Sequence, residues 1–208
     1  VELQKGGGTN VVIVQPNIDP YSQKYDTTND SIVALIADLA LPEMDEFTDL
    51  VITPETVLAD DVRLSNMNRL AADRSVNQIR TVLYEYPKTH YLGGISITEI
   101  FRDSSRVSAQ TNIAGDGRTF YNDYNSAMFL SATDSLQVYH KSKLVVGVEN
   151  FPYKNVLQPI LGDAMLDLGG TISTKTTQEE REVFKMNKQN TVAPVICYES
   201  VYGAYVAD

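Results

Sequence analysis

Three short stretches of this 208-residue chain place a reactive side chain at the end of an apolar run. "LVITPET" carries Glu55, "VYHKSKLVVGVE" carries Lys141, Lys143 and Glu149, and "PVICYES" carries Cys197 and Glu199. A cysteine attacks as its thiolate. A neighbouring carboxylate can take the thiol proton and later return it to a leaving group, while a lysine and the backbone amide after the nucleophile can hold a developing oxyanion. Glutamate, lysine and cysteine together make an acyl-transfer set. Each residue also has a plainer reading: Cys197 as a small buried hydrophobe, Glu55 as a helix N-cap carboxylate, Lys141 as a solvated strand end, and Glu199 as a first-turn charge favouring a helix dipole.

Cys197 is the single cysteine, which excludes an internal disulfide and a cysteine-cluster zinc site. The two histidines, His90 and His140, could not make a metal site without carboxylates. No metal and no cofactor are expected.

Elements that end where these residues stand must position them. "VVIVQPN" (11 to 17) is a continuous apolar run stopped by Pro16, the pattern of a strand buried on both faces. Ile32, Leu35, Ile36 and Leu39 repeat at helical spacing, with Thr28, Asn29 and Asp30 upstream as cap oxygens and Pro42 closing the run. "DLVIT" (49 to 53) is a second strand, halted by Pro54. Val76, Ile79, Leu83 and Tyr86 mark a second helix running towards Pro87, and "HYLGGISI" (90 to 97) a third strand. This alternation predicts an α/β layered fold with partly parallel strands, whose strand ends are where a site assembles.

Beyond residue 100 the pattern loosens. Residues 100 to 125 read as a polar excursion before "SAMFL" (126 to 130), and "SLQVYHK" (135 to 141) and "VVGVE" (145 to 149) as two further strands. Residues 150 to 181 read as a long loop, and "EVFKM" (182 to 186) with "TVAPVIC" (191 to 197) as a hairpin around "NKQN". Cys197 is expected at the entry of a helix over "YESVYGAYVA", where the helix N-terminus would lower its pKa. Residues 1 to 10 are polar and Gly-rich, a flexible lead-in to one domain over 11 to 208.

Composition narrows the partners. Lys and Arg number 17 against 27 Asp and Glu, a net charge of −10, and no basic block is available to neutralise a phosphate backbone. Nucleic acid is therefore not an expected partner. No apolar run approaches the roughly 20 residues that span a bilayer, and no signal-peptide pattern begins the chain.

"TPET", "HKSKL" and "ICYES", in that order, resemble the three catalytic stretches of the carbon-nitrogen hydrolase (nitrilase) superfamily. The resemblance implies a nitrilase-like α-β-β-α sandwich that would continue past Asp208, so that this chain is C-terminally incomplete. It also implies Glu55 as general base, Lys141 as oxyanion lysine and Cys197 as nucleophile. Lys141 is preferred to Lys143 because the family lysine stands three residues before a leucine, here Leu144.

Within the superfamily, "VVIVQPNI", "YNSAMFL", a glutamate eight residues after the lysine and "ICYE" are most similar to the periplasmic domain of apolipoprotein N-acyltransferase. That implies Glu149 as a second acid lining the site, with Glu199 and Tyr198 supporting the nucleophile loop. The partners it implies are a phospholipid acyl donor, a diacylglyceryl lipoprotein acceptor and a membrane reached through a longer parent chain, at the periplasmic face of the bacterial inner membrane. "VVGVE" departs from the acyltransferase pattern Val-Pro-Phe-Gly-Glu at the turn before Glu149. Two other readings stand beside this one: a soluble amidase with the same three residues, and a non-catalytic binding module on the same fold.

Overall fold

The computed structural model describes residues 8–19, 27–145, 149, 174–188 and 190–207. Among these residues, nine strands and three α-helices run in the order β1 (Val11–Ile13), α1 (Asn29–Ala40), β2 (Leu50–Ile52), β3 (Leu58–Leu64), α2 (Arg74–Leu83), β4 (His90–Phe101), β5 (Asn112–Ile113), β6 (Phe120–Ser131), β7 (Gln137–His140), β8 (Phe184–Lys185), β9 (Thr191–Val192) and α3 (Gly203–Ala207). The first seven strands form one sheet, and β8 and β9 a separate two-stranded one. β1, β2 and β4 run parallel in that order, as the strand-helix alternation requires. The mixed α/β class read from the sequence is the class observed.

β4 and β6 are the spine. They pair antiparallel over twelve residues, from His90 opposite Ser131 to Phe101 opposite Phe120. β2 and then β3 lie parallel along the outer edge of β4, and β5 and β7 along that of β6.

The two faces of this sheet bury different things. α1 and α2 cover one face, closing a core that includes Ile32, Val33, Ile36, Val76, Ile79, Leu83, Tyr91, Ile95 and Leu130. Thr28 caps α1 by accepting from the Ser31 amide, and Asp73 caps α2 by accepting from Ser75. The β8–β9 hairpin and the chain leading to Cys197 pack on the other face, where Phe184, Met186 and Ile196 meet Leu50, Ala127, Phe129 and Tyr139.

Several expectations need correction. β1 is an edge strand, not one buried on both faces: Val12 and Val14 turn towards the helices, while Ile13 is 77% exposed. The inward stripe of α1 is Ile32, Val33, Ile36 and Ala40, and Leu39 is exposed, because the helix is rotated from the simple i, i+3, i+4, i+7 reading. β3 was not expected; its "LADDVRL" carries three charges that mask a strand whose Leu58, Val62 and Leu64 face inward. The excursion after β4 is shorter than 100 to 125, since β4 runs to Phe101 and the aromatic "FYNDY" already belongs to β6. Asn10 is not part of a free lead-in: its amide donates to Asp49 Oδ2 at 2.9 Å and its carbonyl accepts from Leu50. Most of "VVGVE" and of the 150 to 181 loop lies outside the described residues.

Candidate active site

β2 delivers Glu55. The strand ends at Ile52, Pro54 prevents its continuation, and the chain turns sharply through Thr56, which takes a positive φ of 49°. That turn is pressed against β4 at Gly94, whose amide donates to Pro54 O at 3.1 Å. A Cβ at residue 94 would lie 2.1 Å from the Thr56 nitrogen and 2.7 Å from the Glu55 carbonyl carbon. Only glycine permits so close a crossing.

β7 delivers Lys141, one residue past its end. Its side chain is 1% exposed, and Nζ lies 3.2 Å from Glu55 Oε1 and 3.0 Å from Glu149 Oε1. Burial disfavours the ammonium, but the hydrogen bond to Glu149 and the charges of Glu55 and Glu149 outweigh it, holding the Lys141 pKa above the ordinary lysine value. Asn125 on β6 stands between the two acids, donating from Nδ2 to Glu55 Oε1 at 2.6 Å and to Glu149 Oε1 at 3.3 Å. Its carbonyl accepts from the Lys141 amide at 2.9 Å. The second oxygen of Glu149 accepts from the Val145 amide at 2.9 Å.

Cys197 follows an extended stretch after β9 and opens a short 3-10 helix, Cys197–Val201, so the regular helix expected over "YESVYGAYVA" is confined to α3, Gly203–Ala207. Its φ is +49°, so nucleophile candidate and base candidate each sit at or beside a left-handed turn. The cysteine is exposed. It borders a cavity of about 290 Å³ whose walls include Glu55, Gly94, Ala127, Pro194 and Ile196. Glu55 and Cys197, 142 positions apart in the chain, thus face one space, with Lys141 bonded to Glu55 beside it.

Glu199 lies elsewhere, fully buried behind the nucleophile turn. Oε2 accepts from the Ile196 amide at 2.7 Å; Oε1 accepts from Tyr139 Oη at 2.5 Å, the Ser142 amide at 2.7 Å and Tyr205 Oη at 3.2 Å. One carboxylate therefore joins the turn before Cys197 to the turn after Lys141. Tyr198 packs edge-on against Tyr202 and is not among the residues lining the cavity. Lys143 is exposed and only its backbone amide reaches Glu199, at 3.4 Å.

Residue typing missed Asn125, Gly94, Tyr139, Ser142 and Tyr205. For Asn125 the signal was present: an asparagine in the middle of a buried strand is disfavoured unless something binds its amide. Neither histidine lines the cavity. His140 meets Ser126 Oγ at 2.7 Å and stacks on Tyr124, and burial pushes its pKa down to about 4. Among the described residues, no group of three His, Cys, Asp or Glu side chains could hold a metal ion, and no helix is long and apolar enough to cross a membrane.

No protein-family model matches the chain, and no curated protein matches it. Solved structures similar to it include the CN-hydrolase superfamily protein XC1258 from Xanthomonas campestris, at 16% identity and a TM-score of 0.46 over 86% of this chain and 51% of that one. Another is the glutamine-dependent NAD+ synthetase from Acinetobacter baumannii, at 16% identity and a TM-score of 0.47 over 91% of this chain and 28% of that one. The chain thus spans about half the length of the first and less than a third of the second.

Proposed function

We propose that this chain is an acyl-transfer enzyme of the carbon-nitrogen hydrolase superfamily, working as the catalytic domain of an apolipoprotein N-acyltransferase. The observation that carries the reading is the shared cavity: Cys197 and Glu55 border it, and buried Lys141 is hydrogen-bonded to Glu55 at its edge. Glu55 takes the Cys197 proton as the thiolate attacks the ester carbonyl of a phospholipid. Lys141 and the backbone amide following the nucleophile hold the oxyanion, and Glu55 returns the proton to the departing lysophospholipid oxygen. The α-amine of a diacylglyceryl lipoprotein then attacks the thioester, Glu55 accepts the amine proton, and the thiolate leaves. Glu149 shares the Lys141 ammonium, and Glu199 holds the nucleophile and lysine turns together. The reading places the domain at the periplasmic face of the bacterial inner membrane, carried there by a longer parent chain.

Wild type and Cys197→Ser, incubated with phospholipid in detergent, test this by intact mass. The expected result is an added acyl chain on wild type alone, removed by hydroxylamine. Release of ammonia from a small amide without any lipid adduct moves the reading to a soluble amidase. A Cys197 alkylation rate like that of free cysteine, with no adduct, moves it to a binding module.

A further inference from the structure

Glu149 is not on a strand, and the local bonds described for it are to Val145. Its amide donates to Val145 O at 3.0 Å, and the Val145 amide donates back to its carboxylate. Among the described residues, its main-chain tie to the sheet comes from a residue 26 positions later: the Lys175 amide donates to Glu149 O at 3.0 Å.

Lys175 is itself fixed to β6. Its Nζ donates to Asp123 Oδ1 at 2.8 Å, both side chains being largely buried, and the next amide, that of Thr176, donates to Asp123 O at 2.7 Å. Asp123 and Asn125 are two apart on one strand and so lie on one face. β6 therefore grips Glu149 twice, by its side chain through Asn125 and by its main chain through the Asp123–Lys175 pair. The segment carrying Lys175 is further clasped by Asn112, whose amide group bonds Thr174 O at 2.8 Å and the Thr174 amide at 2.9 Å, and by Gln110, which accepts from the Thr177 amide at 3.0 Å.

We propose that the buried Lys175–Asp123 ion pair is a positioning device for Glu149, acting through the Lys175 main chain to keep that carboxylate on the Lys141 ammonium. The Lys175 ammonium is bonded to Asp123 and not to the catalytic acids; the inference rests on the place of Glu149 in the function proposed above. Lys141 faces Glu55 and Glu149 with Asn125 between them, so its titration reports where Glu149 stands. An isolated buried charge is costly, so removing one partner of the pair releases the segment instead of leaving it in place.

The test is Lys175→Met in the 208-residue chain, with Lys141 titrated by NMR of labelled lysine side chains. The Lys141 midpoint is expected to fall by about one pH unit, and thioester formation to slow about tenfold, short of the roughly hundredfold that a 1 Å misplacement can cost. Lys175→Arg restores both. The double variant Lys175→Met/Asp123→Leu removes both charges of the pair together, so it folds without the clamp and shows the same fall.

In a Glu149→Gln background, Lys175→Met is expected to move Lys141 no further. An unmoved midpoint in the double variant overturns the inference, as does a full shift that persists without Glu149. If wild type makes no thioester the functional reading fails, while the Lys141 titration still decides the clamp.

Discussion

Two carboxylate clusters meet on the same side of the sheet and balance their charge by opposite means. At Lys141, two acids share one ammonium and one amide, and Glu55 remains 34% exposed towards the cavity. At Glu199, 0% exposed, every hydrogen bond among the described residues comes from a hydroxyl or a backbone amide on one of three segments. A carboxylate held by a neighbouring ion beside a cavity can change partners with little rearrangement of the chain. One held by fixed dipoles cannot, because each dipole belongs to a turn that would lose its partner. The first arrangement suits proton transfer, and the second suits keeping two distant turns in register.

Replacing Glu199 should therefore break the molecule more than replacing Lys141. Glu199→Gln keeps the shape but turns an NH₂ group towards either the Ile196 amide or the donors at Oε1, setting donor against donor. The expected loss is about 3 kcal/mol of folding stability, read as a lower urea midpoint, with the nucleophile and lysine turns uncoupled. A midpoint like that of wild type would mean that Glu199 is not the tether its contacts describe.

Lys141→Met sharpens the contrast from the other side. Glu55 and Glu149 lose their shared cation, but Glu149 keeps the Asn125 amide and the Val145 amide as donors. Glu55 can also rehydrate through the cavity. The stability loss should be no more than about 2 kcal/mol, while thioester formation disappears. Equal stability losses in the two variants would erase the distinction between the clusters.

The same contrast separates what was legible in the sequence from what was not. Glu55, Lys141 and Cys197 could be singled out because each stands at the end of a run whose apolar pattern already declares a strand, and side-chain type does the rest. Asn125 left only the faint mark of an amide inside an apolar strand, and Tyr139 and Tyr205 left none, since their roles depend on strand register and on contacts 60 or more positions apart, which no local pattern encodes. β1 was misread for a related reason: an apolar run states that a strand is suited to burial, not that its neighbours cover both faces. The charges in β3 hid a strand because only its inward positions are apolar. Gly94 carried no signal, because the need for it arises where the Thr56 turn crosses β4.

Alkaline pH gives the smallest expected effect and the most selective one. The folded pKa of Lys141 is raised above its unfolded value of 10.5, so its contribution is complete below that value and is lost as pH rises through the folded pKa above it. Burial also raises Tyr91 and Tyr139, and their unfolded forms ionise in the same range, so stability as a whole falls there for more than one reason. The informative quantity is the difference between wild type and Lys141→Met in urea midpoint, followed from about pH 9 to about pH 12. The gap between the two proteins should be constant at the lower end and narrow as the lysine deprotonates, because the variant has no ammonium to lose. A gap that stays constant to the upper end would show that the two acids do not hold Lys141 in its charged form, and the proton economy assigned to that cluster would fall with it.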